Sequence, residues 1–252
     1  MRKENYPASN TEALGIPAQR FTAVKESRSR IPRHAQENRR KSGTGFLREP
    51  LNGALHCAGI ILAIAATIAL ALRAGTALEL FAYLVFGTGM TLLYLASTLY
   101  HWLPVTPEAQ RRLRRIDHAM IFVYIAATYT PVCAVALGSV TGWTVLAVIW
   151  SLALAGVFLK VFWLDAPRRL STVLYVAMGW AALAVLVPLE RSISIYGVAW
   201  LVGGGVMYTV GAVIYAMKRP NLGIMGFHEI FHVFVLAGSA CHFWVVYRYV
   251  AA

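Results

Sequence analysis

Phe227-His228-Glu229-Ile230-Phe231-His232 opens an apolar run that continues from Val233 to Val250. A run of that length is what a helix needs to cross a bilayer, about twenty residues at roughly 1.5 Å each. On a helix, positions i and i+4 share one face, so His228 and His232 can direct both imidazoles at one ion. Ionisable groups at membrane depth are costly and mark function.

The rest of the chain has the same character. Of its 252 residues, 58% are hydrophobic and only 13% charged, which excludes a soluble domain. The apolar residues fall into seven blocks, at about 52–72, 78–102, 117–138, 142–163, 171–189, 194–217 and 228–250. The expected fold class is therefore all-α, a polytopic membrane protein built as a seven-transmembrane helix bundle. Pro131, the Gly203-Gly204-Gly205 run and Gly211 fall inside spans, as close helix packing permits. Trp102, Trp143, Trp163, Trp180 and Trp244 fall mostly near span ends, where interfacial aromatics belong. The formal charge of +12 is no nucleic-acid signal, because the basic residues sit in the tail and connections. Cys57, Cys133 and Cys241 all lie in apolar segments and read as small core residues, with neither disulfide nor thiolate-metal spacing.

Residues 1–45 have no apolar periodicity and read as a disordered basic cytoplasmic tail, followed by a membrane domain at 46–252. Up to Arg48 the chain carries eleven Lys/Arg against four Glu, with no apolar core of a signal peptide. The tail's expected contact is anionic lipid. Basic residues recur after span 2 (Arg111, Arg112, Arg114, Arg115), span 4 (Arg168, Arg169) and span 6 (Lys218, Arg219), whereas the alternate connections hold only Arg73 and Arg191. The positive-inside rule then places the N-terminus in the cytoplasm and the C-terminus outside.

On that topology the polar residues converge. Glu49, Asn52 and His56 sit in the first turns of span 1, Ser97 and His101 in the last turns of span 2, Asp117 and His118 in the first turn of span 3, and His228 and His232 at the start of span 7. All fall near the cytoplasmic edge of the hydrocarbon. Three neutral imidazoles suit zinc, and three protein ligands plus water is the catalytic pattern. His101, His228 and His232 are the expected ligands. Asp117 is expected to hold a metal-bound water and accept its proton, and Ser97 to donate a hydrogen bond to that water or to a developing oxyanion.

Other polar residues read more plainly. His56, His118 and His242 are expected to make helix–helix hydrogen bonds, and His242, ten residues past His232, is about 15 Å further along the helix. Glu49 reads as a first-turn helix acid, and Lys160 as a snorkelling side chain reaching the cytoplasmic surface. His228-Glu229-x-x-His232 matches the zinc-protease pattern, but His101 and Asp117 are not arranged as in soluble metalloproteases.

Asp117-His118-Ala119-Met120-Ile121, leading to Ala127-Thr128-Tyr129-Thr130-Pro131, resembles the third-helix signature of the hemolysin III family, which is related to the progestin and adipoQ receptors and more distantly to the alkaline ceramidases. Glu49-x-x-Asn52-x-x-x-His56, Ser97-x-x-Tyr100-His101, the Gly-rich sixth span with Tyr208, Gly211 and Tyr215, and His228-x-x-x-His232-x-Phe234-Val235 resemble the family's other blocks in order, over about residues 46–250. Leu55, where the family often has Thr, and Glu229, at a position usually not acidic, are departures. The resemblance implies a multi-pass protein, expected in a bacterial inner membrane, with a cytoplasm-facing zinc site of His101, His228 and His232 beside Asp117 and Ser97. It implies a zinc-dependent hydrolase of a lipid amide or ester, ceramidase-like, or a regulator of membrane lipid state. The alternatives are a receptor-like protein with structural zinc and a pore-forming cytolysin. Membrane lipids, as substrate or ligand, are the expected partners.

Overall fold

The computed structural model describes residues 47–223 and 225–251, so the reading of 1–45 as a disordered tail lies outside the described residues. Among the described residues the regular structure is all helix, apart from an isolated bridge between Leu222 and Met225. The helices are α1 (Pro50–Ala71), α2 (Ala77–Trp102), α3 (Pro107–Pro131), α4 (Val140–Phe162), α5 (Arg168–Trp180), α6 (Leu186–Met217) and α7 (Phe227–Val245).

Their ends follow from local chemistry. Pro50 and Pro107 stand in the first turns of α1 and α3, where a missing N–H costs nothing. Thr76 and Glu79 form a capping box on α2, each side chain accepting from the other's backbone N–H at 3.2 and 3.1 Å. Ser139 caps α4 by accepting from Gly142 N at 3.2 Å. Pro131 removes one N–H from the α3 ladder, and the next turn, Val132–Leu137, opens into a π-helix that ends at left-handed Gly138.

Six stretches among the described residues are long and apolar enough to cross a membrane. Their burial pattern is that of a protein dissolved in lipid. Outward positions are apolar, with Ile61, Leu154 and Phe158 each more than 60% exposed, an outer surface unsuited to water. The buried residues include Asn52, His56, Ser97, His101, Asp117 and His232. This is a multi-pass integral membrane protein. α2 and α3 are the most enclosed helices, with Tyr83, Phe86, Leu93 and Tyr94 of α2 packed with Tyr124 and Ala127 of α3 in the central core.

One of the six stretches, Arg169–Met217, is 49 residues long. A straight helix of that length would span about 74 Å, more than twice a hydrocarbon core. It doubles back instead. Trp180 Nε1 donates to Thr209 Oγ1 at 2.9 Å, although the two are 29 residues apart. Midway between them Ser194 adopts φ 63°, ψ 164°, a positive φ that a side chain with Cβ occupies only under constraint.

The two ends of the bundle are tied separately. At one end Arg48 N and Glu49 N donate to Trp102 O and His101 O at 3.3 and 3.0 Å, satisfying carbonyls that the last turn of α2 leaves open. Asp165, after α4, accepts from Arg111 and Arg114 of α3 at 2.7 and 3.4 Å. At the other end Arg73 Nε donates to Ala251 O at 3.0 Å, with its guanidinium over the Tyr247 ring.

Lys160 corrects an expectation. It does not snorkel: only 1% exposed, its ammonium donates to Ser171 Oγ on α5. A hydroxyl brought in by the next helix accepts from the ammonium where water was expected to.

Gly53 carries one of the two tightest contacts between α1 and α2. A Cβ there would lie 2.0 Å from the Trp102 indole, whose Nε1 donates to Pro50 O at 3.1 Å. Gly53→Val is expected to push the indole out and break that bond, costing about 1–3 kcal/mol by overpacking. Thermal unfolding of detergent-purified protein checks it, and an unchanged midpoint would show that the indole has room to move.

Candidate metal centre

The polar residues that the sequence set at one depth do meet. His101 closes the buried end of α2, and His228 and His232 occupy the first turns of α7. Their rings form a near-equilateral triangle, with centroids 4.9 Å (101–228), 5.1 Å (101–232) and 4.7 Å (228–232) apart. One ligand nitrogen from each lies within 4.8 Å of the others.

The hydrogen bonds show which nitrogens are free. His101 Nδ1 donates to Glu49 Oε2 at 2.6 Å, and His232 Nδ1 shares a 2.8 Å hydrogen bond with His56 Nε2. The Nε2 atoms of His101 and His232 are buried and have no hydrogen-bond partner. Buried imidazole nitrogens are rarely left so. Two orphaned nitrogens facing a third imidazole, in a set without thiolates, fit a divalent metal of the zinc class. Among the described residues these three histidines can hold a metal.

Asp117 and Ser97 line the same cavity as His228 and His232. Asp117 Oδ2 accepts from His118 Nδ1 at 3.0 Å. Ser97, 1% exposed, makes no hydrogen bond, not even the common one back to the carbonyl four residues earlier, so its hydroxyl is available to a ligand. The cavity is about 170 Å³, an order of magnitude more than a single water needs. Beyond the polar end its walls are largely apolar, with Leu93, Ile121, Leu186, Leu189 and Val202. His242 lines it too but stands apart from the triangle, its ring against Tyr208 at 5.3 Å. Glu229 is not in the cavity wall; its carboxylate lies beside Gly226.

Glu49 was undervalued by sequence reasoning. Its carboxylate accepts from His101, from Arg48 at 2.8 Å and from Asn52 at 3.2 Å. Burial alone would raise its pKa; the hydrogen bond from His101, with the charge of Arg48 and the hydrogen bond of Asn52, instead holds it below the usual carboxylate range. It is therefore anionic at neutral pH. The signal for this role was present in the spacing: Glu49, Asn52 and His56 recur at three and four residues, one face of α1. His56 does make the expected hydrogen bond between helices, and its partner is a member of the triangle. The His118 ring bonds its neighbour Asp117, while its carbonyl accepts from Tyr175 of α5 at 3.0 Å.

A family model described as "Haemolysin-III related" matches residues 44–243. The chain belongs to the haemolysin-III related family. Hemolysin-3 of Bacillus cereus is 38% identical to it over 211 residues, 82% of this chain and 94% of that protein. The Hemolysin-3 homolog of Bacillus subtilis (strain 168) is 39% identical over 204 residues, 80% of this chain and 93% of its own length. The human monocyte to macrophage differentiation factor is 25% identical over 177 residues, 66% of this chain and 68% of that protein. The family match spans all the site residues from Glu49 to His232, so this haemolysin-III related chain carries the triangle inside the shared domain.

Proposed function

We propose that this haemolysin-III related protein is a zinc-dependent hydrolase of a lipid amide or ester, working at the cytoplasmic side of a bacterial inner membrane. The observation that carries the reading is the opening of two members of the histidine triangle, His228 and His232, onto a largely apolar cavity that also presents Asp117 and Ser97. Reactive groups and room for an apolar chain occupy one space. His101, His228 and His232 would hold the metal. When bound, zinc supplies Lewis acidity, which polarises a carbonyl and makes a nearby water a stronger acid.

The chain's own residues do the rest. The apolar walls take the acyl chain and exclude water, which strengthens polar interactions at the reacting carbonyl. Asp117 accepts the proton of the attacking water as the new carbon–oxygen bond forms. Ser97 donates a hydrogen bond to the carbonyl oxygen as it gains charge. Asp117 then returns the proton to the leaving amine or alcohol as its bond to carbon breaks.

The same proposal has the chain crossing seven times. The doubled-back Arg169–Met217 stretch makes two crossings, joined near Ser194. The Arg-rich connections share an end with Arg48, and by the positive-inside rule that end is cytoplasmic, which puts the N-terminus inside and the C-terminus outside. Asp117 and the triangle belong to that end.

A second reading, a receptor-like protein with structural zinc, draws on the ligands themselves. His101 belongs to α2 and His228 and His232 to α7, so a bound ion would brace two helices distant in sequence. Purified protein with its metal content measured, offered ceramides and acyl esters, separates the readings. Turnover that chelation abolishes supports the hydrolase; full zinc without turnover of either class supports the brace. The B. cereus relative is named Hemolysin-3, and bilayer conductance independent of zinc would instead support a pore.

A further inference from the structure

We propose that the first turns of α1 are the positioning element of the metal centre, with Glu49 and His56 fixing the tautomers and ring orientations of His101 and His232. The inference rests on reading the histidine triangle as a metal site, and it adds the helix that keeps two of its three ligands ready.

A neutral imidazole has one protonated nitrogen, and only the other can ligate. Each Nδ1 that faces α1 is engaged, His101 with the Glu49 carboxylate at 2.6 Å and His232 with His56 Nε2 at 2.8 Å. A carboxylate can only accept, so the His101 proton sits on Nδ1 and the lone pair on Nε2. His232 Nδ1 pairs with His56 Nε2, and with His56 as the acceptor the His232 lone pair stays on Nε2. Both Nε2 atoms are buried without a partner, as are His56 Nδ1 and both ring nitrogens of His242. The bond from Glu49 also makes His101 a stronger donor to a cation, as carboxylate–histidine pairs do at metal sites.

The element is itself held in place. Arg48 and Asn52 both donate to Glu49, and the backbone of residues 48 and 49 is bonded to the end of α2 at the carbonyls of Trp102 and His101. His56 lies two turns along α1, 3% exposed, its ring edge-on to His232 with centroids 3.9 Å apart. α1 thus touches both ligand-bearing helices while supplying no ligand of its own.

The test uses full-length protein in detergent, stripped of metal and titrated with Zn2+ against a competing chelator, then with Co2+ read by its visible absorption. Glu49→Ala and His56→Ala should each weaken zinc binding about 10–100-fold. Each should also shift the cobalt spectrum; because each change strands a buried Nδ1, a lowered unfolding midpoint of the metal-free protein is expected, and gel filtration confirms that each variant is folded. Glu49→Gln, whose amide oxygen can still accept from Nδ1–H, should recover most of the affinity lost in Glu49→Ala. Unchanged zinc affinity and cobalt spectrum in Glu49→Ala and His56→Ala would overturn the assignment. So would Glu49→Gln being as weak as Glu49→Ala, because a hydrogen-bonding role must be rescued by an acceptor. Wild-type protein that binds no zinc fails at an earlier point, refuting the metal centre itself. Zinc binding that responds as expected in a protein with no lipid turnover leaves this assignment standing and removes only the hydrolase.

Discussion

His101→Ala and His232→Ala should each reduce bound zinc from about one ion per chain to near none after dialysis, since two imidazoles and water make a poor zinc site. The two changes fall on different helices, α2 and α7, so a common loss identifies one shared site rather than two local disturbances. His242→Ala is the matched control. It removes an imidazole from the same helix as His232 and from the wall of the same cavity, outside the triangle. Zinc should stay at the wild-type level there. Loss of His232 also strands His56, at a cost of about 1–3 kcal/mol for a buried polar group left unpaired, whereas Glu49 keeps Arg48 and Asn52 when His101 is lost. Gel filtration and circular dichroism of each variant therefore accompany the metal assay. Folded variants that keep full zinc would refute the site.

The site was legible in the sequence because membrane topology supplies a coordinate that soluble sequences lack. A residue's distance from its span end gives its depth, so His101, Asp117, His228 and His232 could be set at one level before any packing was known. Depth says nothing about rotation about the helix axis. That is why Glu49 read as an ordinary first-turn acid: its bond to His101 depends on which way α1 faces, and 52 residues separate the two. Lys160 failed for a related reason. Its place near the end of α4 suggested escape to water, but Ser171, from the following helix, was already there to meet it. Local turn chemistry, by contrast, is written in short stretches, and the capping box of Thr76 and Glu79 shows it. The reversal near Ser194 is less plain. Glu190-Arg191-Ser192 interrupts the apolar run and sets the expected spans 171–189 and 194–217 apart, yet α6 continues through it with only Ser194 non-helical.

Asp117→Asn should leave zinc bound and the fold intact while lowering turnover of a lipid amide by about 100- to 10,000-fold, the usual worth of a general acid–base group. The asparagine is nearly the same shape. Its carbonyl oxygen can accept from His118 Nδ1 as the Asp117 carboxylate does at 3.0 Å, so the local hydrogen bond survives. What is lost is the ability to take a proton from water and return it to the leaving group. The three imidazoles are untouched, and Ser97 still faces the cavity. A purely structural role for Asp117 predicts the reverse pattern, with a lower unfolding midpoint and little change in kcat for the folded fraction. If Asp117 were instead a fourth ligand, zinc affinity would fall together with activity. Titrating zinc and measuring kcat on the same preparation separates the three, and only a fall in kcat at unchanged zinc affinity assigns Asp117 to proton transfer. Ser97→Ala provides the internal comparison. Removing one donor to a developing oxyanion should cost about 100- to 1,000-fold in kcat, whereas a serine that merely packs α2 against its neighbours would cost almost nothing.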